Sequence, residues 1–199
     1  MSDDPQRFHI AVARFDAANA EDPNTEVFEG VTYPKELLYA QRMTIWLERL
    51  APDASEALRL AARCQHICRW MIPRQRFPIN RHGYLRWRTT LGKFHAETAG
   101  DILREVGYEE ALIGRVQSLL RKENLKRDAE MQCLEDTICL VFLEHYFADF
   151  AGQYEAAKVL DIVRKTWKKM SPRGRDVART LSLSEEAQRL LEAALMEQA

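Results

Sequence analysis

The chain has 199 residues, 46% hydrophobic and 30% charged, with 29 Lys+Arg against 30 Asp+Glu and a net charge of −1. So much apolar content excludes a disordered tail, and the balanced charge argues against a bulk coat for nucleic acid or membrane. Four cysteines, Cys64, Cys68, Cys133 and Cys139, have neither the density of a disulfide scaffold nor the CxxC spacing of a zinc finger; they read as reduced thiols of a cytoplasmic protein. The acidic start, Met1-Ser2-Asp3-Asp4-Pro5, lacks the apolar core of a signal peptide, and no run reaches the roughly 18 apolar residues of a membrane span.

Strand signals are nearly absent and helical periodicity dominates. The first predicted helix covers about 5–20, with Phe8, Val12 and Phe15 at helical spacing, and the loop Glu21-Asp22-Pro23-Asn24 ends it. A second helix starts near Pro34 and carries Leu37, Leu38, Ile45, Trp46 and Leu50; a third covers 53–70, with Leu60, Cys64, Ile67 and Met71 on one stripe. Pro73, Pro78 and Asn80 make 73–81 a loop. Then come a long helix over 84–106 closed by Gly107, one over 109–123, and one over 127–153. The last is apolar almost all round from Ile138 to Leu143 and is expected in the middle of the molecule. Helices over 155–169 and 184–197, separated by a Ser171-Pro172-Arg173-Gly174 turn, complete a single all-α domain with a buried central helix within 127–150.

Function is sought in ionisable residues on apolar faces. Asp136 shares a face with Leu140, Leu143 and Phe147, so its carboxylate needs a partner: a metal, an arginine or a backbone cap. His95 lies with Leu91, Ala99, Ile102 and Val106, with Arg88 two turns earlier on the same face. His66 sits opposite its helix's apolar stripe, beside Arg59, Arg63 and Trp70. From Arg69 to His95 no acid interrupts a basic and aromatic stretch that includes Arg74, Arg76, Phe77, Arg81, Tyr84, Arg86, Trp87, Arg88 and Lys93. Arginines interleaved with aromatics suit a phosphate plus a flat base, as in a nucleotide or single-stranded RNA, and equally suit pairing with the protein's own acids. A second basic group runs from Arg164 to Arg175. His9-Ile10-Ala11 and Lys169-Met170-Ser171 echo the ATP-binding signatures of class I aminoacyl-tRNA synthetases, but those act at strand ends in a Rossmann sheet, and no such sheet can be drawn here.

Longer segments carry a more specific likeness: Arg14-Phe15-Asp16-Ala17-Ala18-Asn19-Ala20-Glu21-Asp22-Pro23-Asn24, Tyr33 to Met43, Gly83 to Arg88, Leu140 to Phe147, and Lys168-Lys169-Met170-Ser171-Pro172-Arg173-Gly174. Together they resemble a bacterial and fungal family known as domain of unknown function number four thousand two hundred and two, which implies no activity. A more distant similarity is to the HD superfamily of all-α, metal-dependent phosphohydrolases, laid over about 34–150. That resemblance implies a cleft in which His66, His95 and Asp136 bind one divalent metal ion and Glu135 or Glu97 acts as base. Tyr39 and Ile67 stand where an HD histidine and aspartate would be, and Arg121 or Lys122 replaces a later histidine. Phosphate would be gripped by Arg59, Arg63, Arg74, Arg76, Arg81, Arg86, Arg88, Arg121 and Lys122. The reading is therefore a phosphohydrolase acting on a nucleotide or other phosphoester; the alternative is a non-catalytic module binding a nucleotide, RNA or protein.

Overall fold

A computed structural model describes residues 5–125 and 127–196, and these are all-α apart from one small hairpin. They divide into two compact units, Met1–Met131 and Gln132–Ala199. The first contains α1 (Pro5–Ala20), the hairpin β1 (Thr25–Phe28) and β2 (Val31–Pro34), α2 (Lys35–Leu50), α3 (Glu56–Arg63), α4 (Arg81–Val106), α5 (Glu110–Leu120) and the start of α6 (Ala129–His145). The second contains the remainder of α6, then α7 (Phe147–Gln153), α8 (Ala156–Lys169), α9 (Pro172–Ala178) and α10 (Glu185–Met196).

The hairpin is a departure from the sequence reading. Its strands pair antiparallel from Thr25↔Pro34 to Phe28↔Val31, and Glu29 and Gly30 take φ of 51° and 78°. Two successive left-handed residues match the twist of the strands, and such a turn closes even a four-residue pair that has almost no alternation to show. Asp22 ties the hairpin to the next helix. One carboxylate oxygen accepts from the Asn24 N–H at 2.9 Å and the other from the Glu36 N–H at 3.1 Å. It thus caps α2 in place of Pro34, whose side chain makes no cap bond.

Helix α3 begins at its Ser55 cap but ends at Arg63, seven residues before the expected boundary. The Asn19 side-chain oxygen takes the Cys68 N–H at 3.0 Å, and Cys68 adopts a left-handed φ of 51°. A tertiary hydrogen bond to a buried asparagine has replaced the helical one, and the chain turns there, through a short 3₁₀ turn at Arg69–Met71. Helix α4 starts three residues earlier than expected, because Asn80 caps it by accepting from the Gly83 N–H at 2.8 Å. Gly107 closes it in the left-handed conformation, φ 90°, as the sequence indicated. Helices α4 and α5 approach closely at Gly100, where a Cβ would lie 2.3 Å from the Gln117 amide nitrogen. That amide donates to the Ala96 carbonyl at 3.0 Å.

Phe15, Met43, Leu47, Leu60, Ile67, Leu103, Ile113 and Leu119 are fully buried in the first unit. Each such side chain contributes about 1.5–3 kcal/mol relative to exposure. The predicted helix over 127–153 breaks at Tyr146, whose φ of −124° is not helical, giving α6 and α7. Leu134, Leu140, Val141 and Leu143 of α6 are buried, as its all-round apolarity required. In the second unit Val159, Val163 and Trp167 form the buried stripe of α8. The expected turn at Ser171 is instead the start of α9, with Ser171 as cap and Pro172 at the first helical position.

Candidate functional site

A cavity of about 390 Å³ lies wholly within the first unit. The turn after α3 supplies Gln65, His66 and Arg69; α4 supplies Arg88, Gly92, Lys93 and His95; the end of α5 and the residues after it supply Arg121, Lys122 and Glu123. Five cationic side chains thus line it against one acid, and that acid is engaged: Glu123 accepts from the Arg121 guanidinium at 2.7 Å. Arg88 and Lys93 have no ion-pair partner among the described residues.

The two histidines are held in defined neutral states. His66 stacks on Tyr39, ring centroids 4.1 Å apart and planes 13° from parallel. Arg69 donates to its Nε2 at 2.7 Å, and its Nδ1 lies 3.2 Å from the Glu36 carboxylate. A guanidinium can only donate, so Nε2 accepts and the proton sits on Nδ1, facing Glu36. Burial, reinforced by the positive charges of Arg69, Arg88 and Lys122, holds His66 well below the ordinary imidazole range. His95 is 3% exposed, with its Nδ1–H directed at the Ile67 carbonyl at 2.8 Å. Burial, then proximity to His66, lowers its pKa to about 3. Its Nε2 is therefore a lone-pair acceptor, and it is buried without a hydrogen-bond partner. Glu36 is buried as well, and desolvation raises its pKa against the opposing charge of Arg69.

The sequence-derived candidates separate into three groups. His66, His95, Arg88, Arg121 and Lys122 are brought together at the cavity. Arg59, Arg63, Arg74, Arg76, Arg81, Arg86 and Glu97 do not line it. Arg63 grips Asp16 through two bonds of 2.7 and 2.5 Å, and Arg59 lies 4.2 Å over the Phe8 ring. Arg74 donates to the Phe77 and Pro78 carbonyls, stapling the loop, while Arg76 reaches the Met71 carbonyl at 3.3 Å. Arg81, Arg86 and Glu97 are exposed along α4.

Asp136 and Glu135 belong to the second unit. Asp136 accepts from the Ser171 N–H at 2.8 Å, the Ser171 hydroxyl at 2.5 Å and the Gln132 amide at 3.1 Å. Of the three partners open to it, a metal, an arginine or a backbone cap, the described residues supply the last. Glu135, 2% exposed, is 3.6 Å from the Lys169 ammonium. No group of three or more His, Cys, Asp or Glu suited to a metal ion occurs among the described residues. Sequence reasoning missed Gln65 and Glu36 at the site and did not single out Arg69. For Arg69 the signal was the acid-free basic run it opens; for the other two there was none, since the turn at Cys68 creates their proximity.

The fold and its cavity define a helical protein with a cation-lined cleft in its first unit. The family model described as Domain of unknown function (DUF4202) matches residues 9–191, and the chain belongs to that family. No curated protein and no solved structure is significantly similar to it. No helix among the described residues is long and apolar enough to cross a membrane.

Proposed function

We propose that the cleft of the first unit binds the phosphate of a nucleotide-like or otherwise phosphorylated small molecule. The observation that carries this reading is the cavity's lining of five cations, of which Arg88 and Lys93 lack a counter-charge among the described residues. Positive charges gathered around one cavity repel one another, and a dianionic phosphate bonded to Arg88 and its neighbours relieves that repulsion while accepting charge-assisted hydrogen bonds.

This favours the binding module over the metal-dependent hydrolase. The same cations repel a divalent metal, and neither nitrogen of His66 offers a lone pair, one being protonated and the other held by Arg69. In this reading the distant likeness to the HD superfamily describes a helical scaffold whose metal-binding pattern has given way to cations. The second reading, hydrolysis of a phosphoester with a metal ion, rests on the unpartnered Nε2 of His95. Four free cysteines are in keeping with a cytoplasmic setting.

Titration calorimetry with inorganic phosphate, pyrophosphate, AMP and a short RNA at two salt concentrations tests the assignment. Saturable binding of the small phosphates without added metal, weakened at least tenfold by Arg88→Ala, is the expected result. Silence from all of them at millimolar concentration overturns it. Binding and turnover that appear only with Mn²⁺ restore the hydrolase, and a steep salt dependence with RNA alone points to nucleic acid.

A further inference from the structure

The cavity contains a second chemistry besides positive charge. The Nε2 of His95 and the side-chain oxygen of Gln65 are both buried without a hydrogen-bond partner, and both residues line the cavity. Gln65 is 5% and His95 3% exposed, so bulk water does not serve them. Leaving such a group unmet forfeits its hydration without compensation. The hydrogen bond from His95 Nδ1 to the Ile67 carbonyl fixes the tautomer, so Nε2 can only accept. Acceptors are the wrong partners for phosphate oxygens, which are acceptors themselves. They call for hydroxyl or amino groups.

Resting on the phosphate-binding reading above, we infer that the ligand is a phosphomonoester whose organic part carries hydrogen-bond donors, hydroxyl or amino groups, and that His95 and Gln65 receive them. An unsubstituted alkyl phosphate meets the cations alone and leaves both acceptors orphaned. A sugar phosphate or nucleotide meets both chemistries at once. Burial that keeps His95 uncharged preserves its acceptor character across the physiological pH range.

The test compares four phosphates by calorimetry on the full chain: pentyl phosphate, with no donor; ribose 5-phosphate, with hydroxyls only; 2′,3′-dideoxy-AMP, with an amino group only; and AMP, with both. At least tenfold tighter binding of one or more donor-bearing compounds over pentyl phosphate is expected, and the middle two reveal which donor counts. Gln65→Leu and His95→Phe should each erode that preference, read as the ratio of affinities for the donor-bearing compound and pentyl phosphate. Should His95→Phe fail to fold, the ¹⁵N shift of His95 Nε2 in the unmodified protein supplies the readout. It moves toward hydrogen-bonded values with the preferred compound and stays put with pentyl phosphate. Equal affinity for all four overturns this inference and spares the phosphate site; no affinity for any of them removes the phosphate site itself.

Discussion

Gly174 lies directly against Asp136: a Cβ built on that glycine would stand 2.6 Å from the carboxylate carbon and less than 3 Å from both oxygens. The carboxylate reaches Ser171 only because position 174 has no side chain. The Ser171 hydroxyl completes the relay by accepting from the Gly174 N–H at 3.0 Å while donating to Asp136. The Lys169-Met170-Ser171 sequence, which echoes a nucleotide-binding signature, thus leads into the capped start of α9, where Ser171 is seated on a buried carboxylate.

Gly174→Ala should destabilise the chain by about 1–3 kcal/mol through overpacking. Asp136→Ala should cost about as much by stranding the Ser171 N–H. Both are read from urea denaturation, and neither should alter phosphate affinity. Asp136→Ala that abolishes ligand binding while the protein stays folded would revive it as a site residue.

Arginines at the cavity and arginines elsewhere should separate by what their loss does. Arg88→Ala weakens phosphate binding with little change in stability. Arg63→Ala leaves affinity unchanged but unpairs Asp16, whose two bonds to the guanidinium are lost. Its expected cost is about 1–3 kcal/mol. Calorimetry and thermal unfolding on the two variants distinguish them; equal loss of affinity in both would contradict the assignment.

Stability should fall as the solution is acidified. His66 and His95 are neutral in the folded chain, with pKa values below the ordinary 6.5, so the unfolded chain binds more protons below that pH. Their contribution is complete above about pH 6.5 and is lost progressively as the solution is acidified below it. Glu36 acts oppositely: with its pKa raised, it favours the fold at low pH and becomes a cost as pH rises, partly offsetting the histidines. The urea midpoint should therefore drop between pH 7.5 and 5.5, and a flat profile would show the imidazoles to be solvated.

The start of α6 offers a separate check. Asp128 accepts the N–H groups of Glu130 and Met131 at 3.0 and 3.1 Å, and Arg115 bonds both Asp128 and Glu130. Hydrogen bonding to Arg115 holds the Asp128 carboxyl down to about 2, so its stabilisation is present above pH 3.8 and fades as pH falls below that. Asp128→Ala should cost about 1–2 kcal/mol at neutral pH, the worth of a helix cap, and Asp128→Asn less. Helicity measured during thermal unfolding reports both.

Much of the architecture was legible because the governing physics is local. Phe8, Val12 and Phe15 repeat at helical spacing whatever lies around them, and Gly107 can end a helix in the left-handed conformation by itself. The apolarity of 138–143 announced a buried helix in the same way. The early end of α3 was not legible, because Asn19 is 49 residues from the Cys68 N–H that it captures. The hairpin was missed because its stability lies in a two-residue turn and in Asp22, with strands too short to show a pattern.

The site divides along the same line. The residue sequence determined that His95 would face inward, that the stretch around Arg69 and Arg88 would be free of acids, and that Asp136 would need a partner, since periodicity and charge order are properties of the chain. Tertiary structure decided which partner each found. It gave Asp136 to Ser171, Arg63 to Asp16 and Arg74 to the carbonyls of its own loop, while bringing Arg69, Arg88, Arg121, His66 and His95 to one cavity. The reason is physical: a buried charge is satisfied by whatever donor or acceptor lies within about 3 Å of it, and that distance is set by how helices pack rather than by their spacing along the chain.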